Sequence, residues 1–336
     1  MAPATALIIG ATGFVGGHLC ELLATKHPQL RLLCLMRDTT PQKANDLNKL
    51  NPSVEIVEGT LEDSAIISAA AEKVDVVIHV AHSDYAPSVQ AVLAGLRKRA
   101  STDSHRTPIY QHMSGLGVIA DNVRGEKVDF VKEWTDVGFR LDDCPKDNTH
   151  LASDRQILEA GTRSQDGIQT AILFPGLIYG HGKTPRSGAW VPFYSTFAKA
   201  AGHAGTWGPV EVSQYCIHVR DVAAAVLCVL GYLLEDATRG GSDGLFFVTS
   251  QEPTMSWRKI NSVLGDILYA RGLVRVPGTQ PFPEGVADPL GHYGWSLLGS
   301  NGHTRADRLG GLGWNAEWSK KEPLRDVVNK MLEIGI

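Results

Sequence analysis

Three glycines, Gly10, Gly13 and Gly16, stand in the spacing G-x-x-G-x-x-G inside "GATGFVGG". Such a triplet does phosphate chemistry when it joins a strand to a helix, and both flanks here meet that condition. "TALIIG" (5–10) is a short apolar run rich in β-formers. "FVGGHLCELLATK" (14–26) carries Val15, Leu19, Leu22 and Leu23 at helical spacing. Gly10 permits a tight turn, Gly13 lets backbone approach a pyrophosphate, and Gly16 lets the helix pack on the strand. The helix N-terminus adds free N–H groups and a partial positive charge.

A second signal ends the next strand, "LRLLCLMRD" (30–38). A carboxylate there would accept hydrogen bonds from an adenosine ribose and favour NAD. Arg37 stands there instead, and its guanidinium suits a 2′-phosphate. Asp38 follows, but neighbouring residues on a strand point to opposite sides. The expected cofactor is NADP(H).

The elements that must position these residues alternate along the chain. Strands are predicted at 54–59, 74–82, 108–115 and 170–180, with helices at 63–73, 88–100 and 149–161. This alternation predicts an α/β fold, a Rossmann doubly wound parallel sheet with right-handed crossovers. Ligands bind such sheets beyond the carboxyl ends of the strands. The candidate cofactor residues are therefore Gly10, Thr12, Gly13, Phe14, Val15, Arg37, Leu61, Ala81, His82, Pro175, Gly176 and Ile178. Ser83 and Tyr85 fall beside them as substrate candidates, and Ser114 closes the fifth strand.

Composition removes several function classes. The 336 residues are 43% hydrophobic and 20% charged with net charge −4, and Lys and Arg form no cluster, so a nucleic-acid partner is not expected. No apolar run is long enough to span a bilayer, and "MAPATALIIGATG" lacks the basic region and cleavage site of a signal peptide. Cys20, Cys34, Cys144, Cys216 and Cys228 are scattered and form no C-x-x-C pair, which argues against a disulfide framework or a zinc site and fits a reducing cytoplasm.

"GATGFVGG", "VIHVAH", "HMSG", "FPGLIYG" and "CIHVRDVAAAVL" (216–227) together resemble the short-chain dehydrogenase/reductase superfamily in its extended or atypical branch. The chain is also similar to fungal NAD-dependent epimerase/dehydratase-like proteins and, more distantly, to NmrA-type cofactor-binding regulators. The resemblance implies a core over 1–179 and 216–250, with a smaller substrate lobe over 180–215 and 251–336. By analogy it implies a homodimer through helices on one face of the sheet. It also implies a Ser–Tyr–Lys constellation, in which Ser114 matches the serine.

The family's tyrosine and lysine sit four apart on the helix before the sixth strand. Register against that pattern puts His150 at the tyrosine position and Asp154 at the lysine position. One turn apart, the two could pair, the carboxylate orienting an imidazole that transfers the proton. The one Tyr-x-x-x-Lys match, Tyr179–Lys183 in "YGHGK", follows the sixth strand and is broken by Gly180 and Gly182, which predicts a loop. Tyr179 stays a catalytic understudy. Trp190 and Tyr215 are substrate candidates in an aromatic lobe, and 285–314 is its expected second wall.

These residues point to an NADP(H)-dependent oxidoreductase acting on a small apolar, aromatic or polyketide-like carbonyl compound. Two alternatives remain open. One is a non-redox cyclase, isomerase or lyase whose cofactor is structural or absent. The other is a sensor that binds NADP(H) without turnover.

Overall fold

The computed structural model describes residues 5–102, 106–183, 190–209, 212–250, 255–324 and 326–327. Its first half repeats strand and helix: β1 (Thr5–Ile9), α1 (Phe14–Lys26), β2 (Arg31–Met36), α2 (Pro41–Leu50), β3 (Val54–Glu58), α3 (Ser64–Ala71), β4 (Val76–His79), α4 (Ala86–Thr102) and β5 (Ile109–Met113). The helix α5 (Leu151–Thr162) leads to β6 (Gln169–Pro175). Two helices, α6 (Trp190–Ala201) and α7 (Val219–Glu235), precede β7 (Leu245–Val248), which completes the sheet. α8 (Trp257–Ala270) comes after it in the chain.

The seven strands run in the order β7-β6-β5-β4-β1-β2-β3, and every neighbouring pair is parallel. β1 lies inside the sheet, with Ile8 opposite Cys34 of β2 and Ile78 of β4. Helices cover both faces, so central strands bury both sides of the pleat and read as unbroken apolar runs. Strand order reverses between β1 and β4, which opens a crevice at their carboxyl ends.

Two segments depart from expectation. The stretch 170–180 is two elements: β6 ends at Pro175, and Leu177–Tyr179 pairs instead with Cys216–His218 in a separate two-stranded sheet. The resemblance of 216–227 implies a return of the chain to the main sheet, but the segment's Cys216–His218 strand pairs outside that sheet. Its Asp221 anchors a later turn, accepting hydrogen bonds from Trp318 N, Ser319 N and Ser319 Oγ. The seventh strand is Leu245–Val248, four residues long and too short to announce itself by periodicity.

A second apolar core lies apart from the sheet. Tyr194 of α6 stacks parallel to Trp257 of α8, while Trp207 and Phe282 meet edge to face at 5.2 Å. Trp207 Nε1 donates to Ala287 O at 3.1 Å, so this buried indole has its polar end satisfied. The sequence pattern also predicts a terminal helix over 320–335, a span mostly outside the described residues; ahead of it a short helix, Glu317–Lys321, stops before Glu322. No helix of the described residues is long and apolar enough to cross a membrane.

Candidate active site

Gly10 takes φ +99°, a conformation that L side chains rarely adopt, and a Cβ there would stand 2.9 Å from Ala81 N. At Gly16 a Cβ would fall 2.0 Å from Gly10 O, so only glycine lets α1 sit this close to the turn. α1 starts at Phe14 with no side-chain cap and no acid in its first turn, which leaves its N-terminal N–H groups for an anion.

A cavity of about 500 Å³ opens over this turn. It is lined by Gly10, Thr12 and Gly13, by Arg37 after β2, by Leu61 and Glu62 after β3, and by Ala81, His82 and Tyr85 after β4. Arg37 is exposed, and among the described residues its guanidinium has no ion-pair partner. Asp38, at φ +48°, is engaged by Lys43, whose Nζ lies 2.8 Å from Asp38 O and 4.0 Å from its carboxylate. The strand end thus turns a cation, not the acid, toward the cavity. The turn, the uncapped helix and the cation suit a dinucleotide phosphate. Phe14, Val15, Pro175, Gly176 and Ile178 do not line the cavity; Val15 is in the core.

Ser114 continues β5, its N–H held by Leu173 O at 2.8 Å, and its Oγ donates to Asp154 Oδ2 at 2.7 Å. His150 caps α5 at φ +74°. The preceding turn is pinned by buried Asn148, whose Nδ2 donates to Val118 O and Ala120 O, both at 2.9 Å. His150 Nδ1 lies 2.7 Å from Asp84 Oδ1 and 3.1 Å from Ser83 Oγ. Among the described residues no hydrogen bond reaches its Nε2, which faces Gly115, the residue after Ser114: a Cβ there would come within 3.0 Å of it.

Two carboxylates therefore hold two different groups. Burial would raise the Asp84 carboxyl, but the hydrogen bond and charge of His150 outweigh it and leave it below its ordinary range. Asp154 is wholly buried, and burial lifts it to about 7 against the opposing pull of His150 and Ser114. Its Oδ1 has no hydrogen-bond partner among the described residues. The expected pairing of His150 with Asp154 is corrected: a cap residue in the left-handed region does not project along the face of the helix it starts, and Asp84 from the β4 loop orients the ring.

Residues 7–271 match the 3-beta hydroxysteroid dehydrogenase/isomerase family. The chain belongs to that family.

Relatives of this dehydrogenase/isomerase-family chain include "Oxidase ucsJ" from an Acremonium species, 26% identical over 91% of this chain and 90% of the relative. A dTDP-4-dehydro-6-deoxy-D-allose reductase from Streptomyces bikiniensis is 28% identical over 67% of this chain and 72% of its own. The UDP-glucose 4-epimerase of Thermotoga maritima superposes with TM-score 0.65 at 15% identity over 98% of both chains, a likeness of fold. The extended short-chain dehydrogenase/reductase architecture is the frame in which this site sits.

Within that frame Tyr179 is a structural residue. It is 2% exposed, and its hydroxyl donates to Glu322 O at 3.0 Å and Ser319 O at 3.4 Å. Lys183 turns to Glu21 of α1 at 2.9 Å, so this Tyr-x-x-x-Lys match brings no phenol to an ammonium. Tyr85, read as a substrate residue, lines the cavity over the glycine turn. Tyr215 packs on His303, which accepts from or donates to Ser213 Oγ at 2.7 Å. The side chain of Trp190 lies outside the described residues. Sequence reasoning missed Asp84 and Asn148, which sit in loops without periodicity; only their proximity to Ser83 and His150 marked them.

Proposed function

We propose that this chain is an NADP(H)-dependent oxidoreductase that interconverts a small apolar or aromatic carbonyl compound and its alcohol. The Asp84–His150 pair beside Ser114 carries this reading. When bound, the cofactor supplies or accepts the hydride. The glycine turn and α1 would hold its pyrophosphate, and Arg37 its 2′-phosphate.

This chain's own residues manage the substrate oxygen. With Nδ1–H held by Asp84, the other ring nitrogen of His150 is the one free to move a proton. Protonated, Nε2 delivers to the oxygen during reduction; neutral, it takes the hydroxyl proton during oxidation. Asp84 stabilises the imidazolium, as a carboxylate does in a His–Asp pair. Ser114 Oγ binds the same oxygen. The names of the relatives, an oxidase and a reductase, support redox chemistry.

A non-redox reaction is the second reading, favoured by His150 and Asp154 standing where the family has tyrosine and lysine. NADPH oxidation by a panel of aromatic ketones separates the two. The wild type should consume NADPH, and His150→Ala should bind NADPH yet not turn over. Conversion of a substrate with no net change in NADPH would establish the non-redox reading.

A further inference from the structure

Ser114 has one hydroxyl hydrogen and two lone pairs, so what it shows a ligand depends on what Asp154 takes from it. We propose that Asp154 sets whether Ser114 offers the substrate oxygen a hydrogen or a lone pair, so that its protonation selects between the carbonyl and alcohol forms of the substrate. The proposal rests on the oxidoreductase reading and deepens it.

The geometry is explicit. Ser114 Oγ lies 2.7 Å from Asp154 Oδ2, and the carboxyl group is wholly buried. When Asp154 is ionised, the hydroxyl hydrogen is committed to the carboxylate. Ser114 then presents lone pairs, which accept from an alcohol and repel a carbonyl oxygen. When Asp154 is neutral, its own hydrogen goes to Ser114 Oγ. The serine hydrogen is released toward the site, where it suits a carbonyl oxygen.

Surroundings favour interconversion of the two states. Among the described residues Oδ1 has no hydrogen-bond partner, so the anion is held by a single bond. The charged groups that reach Asp154 are His150 at the head of α5, which favours the anion, and Asp84 after β4, which opposes it. Tyr110 of β5 and Cys144 before α5 also feel the carboxylate, and burial raises both, Cys144 to about 12, so both stay neutral. With burial the dominant influence, Asp154 titrates at about 7.

Infrared spectroscopy of the ligand-free protein reads Asp154 directly. The carbonyl stretch of a protonated carboxyl group should be present at pH about 6 and fade by about 8, be absent in Asp154→Asn, and shift in Ser114→Ala, which loses the bond. Acetophenone and 1-phenylethanol, added without cofactor and followed by ligand-observed NMR, supply the second readout. The affinity ratio should move toward the alcohol by about tenfold over that pH range in the wild type and stay flat in Ser114→Ala. A missing band, or a wild-type ratio that does not change with pH, including failure of both compounds to bind, overturns the proposal. A separate NADPH titration tests the reading beneath it. A titrating band without NADPH binding leaves Asp154 and Ser114 as assigned and removes the oxidoreductase.

Discussion

His150 Nδ1 and Asp84 Oδ1 are 2.7 Å apart, although 66 residues separate them in the chain. The loop after β4 carries the carboxylate, and the turn before α5 carries the imidazole. The imidazole is placed by backbone features of its own: Asn148 ties the turn to Val118 and Ala120, and His150 adopts the left-handed cap conformation that aims its ring away from the helix. The result is a tautomer fixed from one side and a nitrogen left for chemistry on the other.

His150→Ala is expected to lower kcat by about 10²–10⁴-fold while leaving the NADPH dissociation constant unchanged. Asp84→Asn should lower it less, about tenfold, because an amide oxygen still accepts Nδ1–H without stabilising the imidazolium. Steady-state kinetics beside a fluorescence titration check both. An Asp84→Asn variant as active as the wild type would remove the pair from catalysis.

Arg37→Ser should weaken NADPH binding by about 10–100-fold, the loss of charge-assisted bonds to a phosphate, and leave NADH unaffected. Calorimetric titration of both cofactors against both proteins measures it. Equal losses for the two cofactors would assign Arg37 to the shared part of the dinucleotide.

Gly16→Ala places a Cβ where Gly10 O stands, 2.0 Å away. Either the turn or α1 must move, and overpacking of this kind costs about 1–3 kcal/mol. Chemical denaturation should show that loss, accompanied by weaker cofactor binding if the displaced turn holds the phosphates as proposed.

Much of this fold was legible from local pattern. The predicted bounds of α1, 14–26, match its observed span, because a glycine turn and helical spacing mark both ends locally. β1, β2 and β4 announced themselves as apolar runs because helices cover both faces of the sheet. The residues at the strand ends that line the cavity over the glycine turn followed from topology, as Gly10, Arg37 and Ala81 show. The pairing of His150 with Asp84 did not. His150 and Asp154 share a helical period in sequence, but His150 precedes the helix at positive φ, and Asp84 approaches from a loop with no periodicity to display it. Tyr179 looked chemical by spacing alone, and tertiary packing against the segment at Ser319–Glu322 claimed its hydroxyl.

Stability should report Asp154 independently of turnover. Its folded-state value, about 7, lies above its ordinary 3.8. The protein therefore has the full benefit of this group below about 3.8 and loses it as pH rises through about 7. Asp154→Asn removes that loss. Its stability relative to the wild type should improve between pH about 4 and about 8, by a few kcal/mol. Urea unfolding of both proteins at the two pH values measures the change. A difference independent of pH would show that Asp154 is ionised throughout.

Hydride transfer at this site, with His150 moving the accompanying proton, is the central claim. NADPH deuterated at C4 on its transferable face, incubated with the protein and an aromatic ketone, tests it most directly. Deuterium should appear on the carbinol carbon of the product and disappear in His150→Ala. Cofactor bound with no deuterium in any product, across the ketone panel, would contradict it.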